Sequence, residues 1–283
     1  MIISDPEITE TPEEIVRRAE IDYGVKKFVG LFSGGKDSLV TCHYLWRMGV
    51  LDEVLYCKTG VGVKENFEYV LETCNKYGWR LHVEAPEPRF SYDEFVRRWG
   101  FPHRGVHGGV MNSLKWQSIR RYNRAHPDEH LAFVSGRRTK ESWRRGTLKG
   151  MQSPIMYAEG EAKRYPLLTV APLYYWRDDQ IWQYVKDNSL ETCPVYKTLH
   201  LGGDCLCGCY SELGEAELIA IFHPELAAYL QALEKKYGGK WGSQSSITGA
   251  KQQRTLSEFV QSVACTDCMI DSQKKVTGRK RKQ

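Results

Sequence analysis

Short β-rich apolar runs alternate with amphipathic segments along the first two thirds of the chain. Residues 26–32, 53–59 and 130–136 form such runs, and the segments 38–49 and 65–78 carry apolar residues at helical spacing. Strands that are joined by helices usually pair in parallel, with the helices packed on both faces of the sheet. The alternation therefore predicts an α/β fold built on a doubly wound parallel sheet.

The segment before the first strand has the start and stop signals of a helix. Thr11 is a suitable N-cap, Pro12 suits the first helical position, and Glu14 can complete a capping box. Gly24 can end the helix. We expect this helix to cover an edge of the sheet.

The pattern changes along the second half of the chain. Residues 90–124 are expected to be mainly helical, 169–176 to form an apolar strand, and a helix to begin at Asp178. Beyond residue 196 we expect helices without strands, at 215–222 and 224–236. The chain is therefore divided into an N-terminal helix (1–24), an α/β domain (25–195), a small cysteine-rich helical subdomain (196–270) and a basic tail (271–283).

The composition excludes several classes of protein. Hydrophobic residues make up 41% and charged residues 27% of the 283 residues, which is typical of a folded chain rather than a disordered one. No apolar run approaches the roughly 18 residues that cross a bilayer, and the acidic N-terminus is unlike a signal peptide. We expect a cytoplasmic protein without a membrane partner.

The net charge of +5 is concentrated at one end of the chain. The last ten residues contain six Lys or Arg and no acid, and the other 34 cations and 35 acids leave the rest at −1. This composition is typical of an arm that binds a polyanion such as nucleic acid, and equally of a solvated terminus.

A glycine loop lies between the first predicted strand and the helix that follows it. Its residues are Ser33, Gly34, Gly35, Lys36, Asp37 and Ser38. Glycines let backbone amides surround an anion, and a helix N-terminus adds partial positive charge. We predict that the loop binds nucleotide phosphates, with Lys36 neutralising their charge and both serines donating hydrogen bonds. Asp37 suits either the helix start or a Mg²⁺ ligand.

Four segments of the sequence resemble one family. The segment FSGGKDSLV is similar to the pyrophosphatase loop (PP-loop) of the adenine nucleotide α-hydrolase superfamily. Three segments resemble its phosphoadenosine phosphosulfate (PAPS) reductase branch: CKTG (57–60), SGRRTKESWRR (135–145) and APLYYWRDDQIWQYV (171–185). In the first of these, Lys58 stands where that branch has an acid.

The resemblance implies an adenine-nucleotide site. Its ligand would be ATP or an adenylyl-sulfate nucleotide, with the phosphates in the loop and bond change at the α-phosphate or the attached sulfur. Lys36, Asp37 and Arg137 are then the candidate catalytic residues. The resemblance adds four residues, namely Thr59 and Gly60 at the nucleotide and His107 and Lys115 near the substrate.

A second loop fits the same chemistry. Gly136 ends a predicted strand, and four arginines follow within ten residues, among them Arg137, Arg138 and Arg145. Guanidinium groups can hold phosphate or sulfate through two hydrogen bonds, and Glu141 can keep one of them in place. A solvated basic helix face would have the same composition, but the position at the carboxyl edge of the sheet favours ligand binding.

The sequence also departs from the family pattern. Reductases that release sulfite carry a catalytic cysteine in a C-terminal ECGLH motif, which is absent here. A sulfur-inserting or adenylating enzyme, like those associated with DNA phosphorothioation or RNA thiolation, therefore fits as well as a reductase. The alternative is an accessory protein that binds nucleic acid through the tail and through Arg120, Arg121 and Arg124.

Five of the nine cysteines form two groups. Cys205, Cys207 and Cys209 lie within five residues, and Cys265 and Cys268 form a CxxC pair. In a reducing compartment such groups indicate metal binding before disulfides. Four thiolates suit a structural Zn²⁺ or an iron–sulfur cluster. The CxC spacing and the implied sulfur chemistry favour a 4Fe–4S cluster on Cys205, Cys207, Cys265 and Cys268, with Cys209 as an alternate ligand.

Overall fold

Six strands form one sheet in the described part of the chain. The structure is a computed structural model that describes residues 10–103, 106–139, 153–158, 167–209 and 214–238. Its strands are β1 (Lys27–Leu31), β2 (Leu51–Cys57), β3 (Leu81–Glu84), β4 (Leu131–Val134), β5 (Ile155–Ala158) and β6 (Leu167–Val170). They pair in the order β3-β2-β1-β4-β6-β5. Every neighbouring pair is parallel except β5 and β6, which confirms the predicted α/β class.

The helices pack around this sheet. They are α1 (Pro12–Tyr23), α2 (Lys36–Met48), α3 (Lys64–Tyr77), α4 (Tyr92–Trp99), α5 (His107–Met111), α6 (Gln117–Ala125), α7 (Asp178–Asp187), α8 (Tyr196–Leu199), α9 (Glu215–Phe222) and α10 (Pro224–Tyr237). A π-helical turn, Asn112–Trp116, joins α5 to α6. No helix within the described ranges is both long enough and apolar enough to cross a membrane.

Alternate residues of the central strands face different layers of helices. In β1, Phe28 packs in a cluster with Ile15 of α1, whereas its neighbour Val29 packs in a cluster with Ile119 of α6. Successive side chains of a strand point to opposite faces of the sheet. Helices α1 and α6 therefore cover opposite faces, as expected for a doubly wound sheet, but the expectation that α1 covers an edge is wrong, because its apolar side packs on the central strands β1, β4 and β6.

The first helix has the ends that its sequence predicts. The Thr11 hydroxyl accepts a hydrogen bond from the Glu14 amide at 3.2 Å, and the Glu14 carboxylate accepts one from the Thr11 amide at 2.7 Å. Gly24 ends the helix with a φ of 67°. Ile15 and Ala19 are buried against the sheet, so the helix is fixed at both ends and along one face.

Two expectations about strands are wrong. The run 169–176 is not a strand along its length, because β6 ends at Val170 and a turn follows. Pro172 lies in that turn and has no N–H to donate to a strand neighbour. The sequence pattern also misses β5, which pairs antiparallel to β6 at the edge of the sheet. The sheet is therefore mixed rather than wholly parallel.

The direction in which the chain adds strands reverses between β1 and β4. From β1 the chain moves outward to β2 and β3, and it then crosses to β4 on the other side of β1. In α/β sheets ligands often bind where such a reversal occurs, at the carboxyl ends of the strands. The loops that follow β1 and β4 lie at this point of the sheet.

Residues on both sides of position 196 share a hydrophobic core. Leu199 and Leu206 are buried in one cluster with Phe32 and Leu39. Helices α9 and α10 match the predicted segments within one residue. The division into four parts stays a prediction, and the basic tail lies outside the described residues.

Candidate functional site at the carboxyl edge of the sheet

The loop between β1 and α2 has a backbone that requires glycine. Gly34 has a φ of +80°, and a Cβ there would lie 2.2 Å from Asn66 Nδ2. Gly35 is the N-cap of α2, and no side-chain cap hydrogen bond is made at this end of the helix. Helix N-termini with uncapped amides are natural anion sites, because their N–H groups and the helix dipole both favour negative charge.

Hydroxyl groups close the two ends of this loop. Ser38 Oγ accepts a hydrogen bond from the Ser33 amide at 3.3 Å and donates one to the Gly35 carbonyl at 2.9 Å. The Ser33 and Ser38 hydroxyls lie 3.2 Å apart. Both serines predicted to contact phosphate are therefore brought together in the loop.

A buried asparagine supports the loop from behind. Asn66 of α3 is 0% exposed, and its Nδ2 donates to the Ser33 carbonyl at 3.0 Å and also to the Gly202 carbonyl. Its Oδ1 accepts from the Tyr56 hydroxyl at 3.1 Å. The side chain thus links α3, β2 and the segment after α8 to the glycine loop.

Two more glycines let neighbouring segments touch the loop. A Cβ on Gly136 would lie 2.7 Å from the Asp37 carbonyl carbon, and a Cβ on Gly202 would lie 3.2 Å from Gly35 Cα. The first position leaves no room for a side chain, because the obstacle is helix backbone. The segments after β4 and α8 therefore meet the start of α2 at close range.

Four charged side chains form one network at the start of α2. Lys36 Nζ lies 2.8 Å from Asp178 Oδ1 and 3.0 Å from Asp37 Oδ2. Arg138 donates from Nε to Asp37 at 2.8 Å and from Nη2 to Asp178 at 3.0 Å. The Lys36 side chain is 11% exposed and that of Arg138 is 3% exposed. Buried cations of this kind are stable when paired, and the pairing joins α2, α7 and the loop after β4.

The network lowers the pKa of one of its carboxyl groups, that of Asp178. Burial alone would raise the pKa of Asp178, but the Lys36 and Arg138 cations outweigh it and hold that pKa below its ordinary value. Asp178 is therefore ionised at neutral pH and can pair with both Lys36 and Arg138. The Asp178 side chain is 59% exposed, so it is the partner of Lys36 that solvent can most readily stabilise when a phosphate takes its place.

The neighbouring arginine has different partners. Arg137 donates to the Ser153 carbonyl at 2.6 Å, and its guanidinium lies 4.9 Å from the centre of the Tyr174 ring. Arg137 and Arg138 thus diverge from one loop, and only Arg138 joins the charge network. Glu141 and Arg145, which were expected to complete this segment, lie outside the described residues.

The loop after β2 holds the cysteine segment against the sheet. The Thr59 hydroxyl donates to the Asp204 carbonyl at 2.7 Å, and the Asp204 carboxylate pairs with Lys115. Burial alone would lower the pKa of Lys115, but Asp204 and the nearby Cys205 raise it above its ordinary value. Gly60 has a φ of +83° with open space where a side chain would be. Thr59 and Lys115 are therefore joined through Asp204, whereas His107 is exposed at the start of α5.

Three cysteines of the segment after α8 contact one another. Cys205, Cys207 and Cys209 pack in one cluster, with the Cys207 thiol close to the other two. The neighbouring Cys207 thiol and burial raise the pKa of Cys205 well above its ordinary value. In the described ranges, no group of three or more His, Cys, Asp or Glu is arranged to hold a metal ion. Cys265 and Cys268 lie outside those ranges, so the four-thiolate site stays a prediction.

Three residues of this site are not apparent from the sequence alone. Asn66 lies inside an ordinary amphipathic helix, and Asp204 lies in a loop where the cysteines are the obvious feature. Asp178 is ambiguous in the sequence, since an acid in the first turn of a helix can stabilise the helix dipole without belonging to any functional site. Each becomes significant only through partners that are far away in sequence.

Comparison with known proteins places this site in a family. The family model for the phosphoadenosine phosphosulfate reductase domain matches residues 27–269, which include the glycine loop and both cysteine groups. An uncharacterised protein of Methanocaldococcus jannaschii is 26% identical over 215 residues, which are 74% of this chain and 42% of that protein. The chain thus spans about two fifths of the length of this relative.

Other relatives match over more of their length. An adenosine 5'-phosphosulfate reductase of Shouchella clausii is 23% identical over 189 residues, covering 66% of this chain and 70% of that protein. The crystal structure of a PAPS reductase from Candida auris aligns with a TM-score of 0.49 at 16% identity, covering 67% of this chain and 85% of the other. The match of the family model across most of the chain is the decisive result: this chain belongs to the phosphoadenosine phosphosulfate reductase domain family.

Proposed function

We propose that this chain is an enzyme that binds ATP or an adenylyl-sulfate nucleotide in the loop Ser33–Ser38 and changes a bond at the α-phosphate or the attached sulfur. The observation that carries the proposal is Lys36 at the uncapped start of α2, only 11% exposed and held beside two carboxylates and Arg138. Membership of the PAPS reductase domain family supports the nucleotide class. Two relatives named adenosine 5'-phosphosulfate reductase support sulfur chemistry.

Each residue of the loop has a separate task in this proposal. Lys36 neutralises phosphate charge when the phosphate replaces Asp178 as its partner, and the Ser33 and Ser38 hydroxyls exchange their present acceptors, Ser38 Oγ and the Gly35 carbonyl, for phosphate oxygens. Asp37 keeps Arg138 in place and is the candidate ligand for a Mg²⁺ ion that accompanies the nucleotide. Arg137 is the candidate catalytic cation beside the loop.

The residues around the loop shape the rest of the proposed site. Gly136 allows the loop after β4 to approach α2, while Thr59 and Gly60 form the opposite wall at the end of β2. Lys115 and His107 are the candidate substrate residues on that side. We propose that Glu141 and Arg145 also contribute to nucleotide binding, because their segment resembles that of the family.

We also propose that Cys205, Cys207, Cys265 and Cys268 hold a 4Fe–4S cluster in preference to Zn²⁺. Cys205 and Cys207 fit such a group, because their thiols are adjacent beside the candidate site, with Cys207 buried and Cys205 half-buried. Cys209 is the alternate ligand. When bound, the cluster would supply an electron to sulfur chemistry. This chain's own residues, Lys36 and Arg137 above all, would bind and orient the nucleotide.

The reaction type is tested by its products. Incubation with ATP and Mg²⁺ should release pyrophosphate if a nucleophile attacks the α-phosphate, whereas incubation with adenylyl-sulfate and a thiol should release AMP and sulfite if the sulfur is reduced. The variant Lys36→Ala should reduce either turnover by about 100-fold or more, since it removes charge stabilisation at the phosphates. Lys64→Ala is the matched control, because Lys64 opens α3 as Lys36 opens α2 but is 84% exposed. Equal turnover in both variants would contradict the proposal.

The metal proposal has its own readout. Anaerobic purification followed by iron, sulfide and zinc analysis should find iron and sulfide in equal amounts. Cys265→Ser with Cys268→Ser should remove them, and Cys209→Ser should not. Zinc at one equivalent without sulfide, or iron kept in the double variant, would overturn the proposed ligand set.

A further inference from the structure

A second lysine, Lys58, lies beside the glycine loop at the carboxyl edge of the sheet. Leu31 and Leu55 are opposite each other in the parallel strands β1 and β2, and Gly34 and Lys58 each follow three residues later. Neighbouring strands are about 4.8 Å apart, so the loop and the lysine leave the sheet next to each other. The fold therefore brings a second cation to the loop that carries Lys36.

Aromatic side chains fix the side of the sheet on which the Lys58 ammonium group lies. Its Nζ is 5.3 Å from the centre of the Phe67 ring, and that ring packs on Tyr56 with 5.2 Å between ring centres. Tyr56 donates to Asn66, whose amide group in turn donates to the Ser33 carbonyl. The ammonium group of Lys58 is therefore on the side of the sheet from which Asn66 contacts the glycine loop.

No carboxylate among the described residues pairs with Lys58. Glu68 of α3 pairs with Lys64. Glu84, at the end of β3, pairs with Arg121. The ring beneath the ammonium group attracts it only weakly at an exposed site and leaves its charge in place. Because Lys58 is exposed, an incoming anion can reach it without displacing a carboxylate of the protein.

Lys36 and Lys58 therefore differ in what an anion must displace. Lys36 is held by Asp37 and Asp178, whereas Lys58 lies over an uncharged ring. An ammonium group on a flexible stem binds phosphate or sulfate as a point charge. The PAPS reductase branch has an acid at this position, so this chain has a positive charge where that branch has a negative one. The position in this chain suits an anion.

We propose that Lys58 is a specificity-determining residue that binds a second phosphate or sulfate group, beside the phosphate held by Lys36. The second group is either the terminal group of the bound nucleotide or a separate oxyanion that binds next to it, because both have the same charged oxygens. The inference rests on the proposed function, since it requires a nucleotide in the loop Ser33–Ser38. Lys58 should increase affinity for ligands that carry the second group and leave affinity for other ligands unchanged.

The test compares ligands with and without the second group, by calorimetry on the full chain at fixed low salt. The ligands are AMP, the α,β-methylene analogue of ATP, adenylyl-sulfate, and inorganic sulfate titrated into the chain saturated with AMP. Lys58→Ala should weaken binding of ligands that supply the second group by about fivefold or more, since it removes one charge-assisted contact. Binding of AMP alone should stay within about twofold of the parent, and Lys58→Arg should restore most of the lost affinity.

Two other lysines are the controls. Lys64→Ala should bind every ligand like the parent, because Lys64 is 84% exposed and pairs with Glu68 of its own helix. Lys36→Ala should weaken binding of every nucleotide, AMP included. Circular dichroism melts confirm that all four variants are folded.

The outcomes separate the source of the second group and the two proposals. A loss confined to the ATP analogue and adenylyl-sulfate identifies the terminal group of the nucleotide, and a loss confined to sulfate identifies a separate oxyanion. If Lys58→Ala binds all ligands like the parent, or weakens AMP as much as the others, the role of Lys58 is overturned, while a loss in Lys36→Ala leaves the proposed function standing. If Lys36→Ala also binds like the parent, or the parent binds no ligand, both proposals are overturned.

Discussion

The two helices that follow the first two strands begin in the same way but have different surroundings. Helix α2 opens with Lys36 and Asp37 after a glycine loop, and α3 opens with Lys64 and Glu65 after another, in both cases without a side-chain cap. The Lys36 side chain is 11% exposed and pairs with carboxylates of α2 and α7. Lys64 is 84% exposed and pairs with Glu68 of its own helix at 2.7 Å.

This difference shows that a strand, a glycine loop and a lysine do not by themselves make a phosphate site. Helix α2 lies beside the reversal point between β1 and β4, where Arg138 and Asp178 arrive from other elements. Helix α3 follows β2, on the side of β1 away from that point, so its lysine remains in solvent. Burial of a lysine costs free energy unless other charges pair with it, and those partners are why we propose α2, and not α3, as the functional helix start.

The largest loss of stability is expected at the position in the loop before α2 that has no space for a side chain. Gly34→Ala places a Cβ 2.2 Å from Asn66 Nδ2 at a φ of +80°, and we expect it to lower the free energy of unfolding by about 2–5 kcal/mol and to abolish nucleotide binding. Gly49→Ala is the control, because Gly49 ends α2 at a φ of +74° with no atom within 4 Å, so only the backbone cost of about 1–2 kcal/mol applies. Urea denaturation measures the stability of each variant, and titration with ATP measures its nucleotide binding. Similar losses in the two variants would refute the steric argument.

The parts of this site that the sequence predicts are the ones with local signals. Gly34, Lys36 and the ends of α1 are defined by residues within a few positions of one another. Asp178 pairs with Lys36 across 142 positions, and an acid at a helix start looks the same whether it has such a partner or not. The edge strand β5 was not among the apolar runs identified in the sequence, which explains why the sheet was expected to be wholly parallel.

A smaller loss of stability is expected from the replacement of Asn66, whose side chain joins the two βα units. Asn66→Ala should lower the free energy of unfolding by about 1–3 kcal/mol, because it leaves the Ser33 and Gly202 carbonyls without their buried donor. Asn75 is the control, since it lies on the same helix and is exposed. Asn75→Ala should stay within about 0.5 kcal/mol of the parent. Chemical denaturation of the three proteins is the measurement, and equal stability of both variants would contradict the role assigned to Asn66.

The smallest loss of stability is expected from removing the charge of Asp178. Its pKa is lowered in the folded chain, because Lys36 and Arg138 outweigh the opposite effect of burial, so its ionised form stabilises the fold above the unfolded pKa. Asp178→Asn should therefore reduce stability at pH 7, by less than about 1 kcal/mol because the side chain is largely exposed. The difference should shrink as pH falls and disappear below the folded-state pKa. A difference in stability that grows as the pH falls would contradict the lowered pKa of Asp178.

The central claim is that the buried lysine of α2, and not its exposed counterpart on α3, holds the phosphates of an adenine nucleotide. Calorimetric titration of ATP with Mg²⁺ into the parent, Lys36→Ala and Lys64→Ala chains tests it most directly. We expect Lys36→Ala to weaken binding by about tenfold or more, as loss of a charge-assisted contact should, and Lys64→Ala to bind like the parent. Equal affinity of all three chains would contradict the claim.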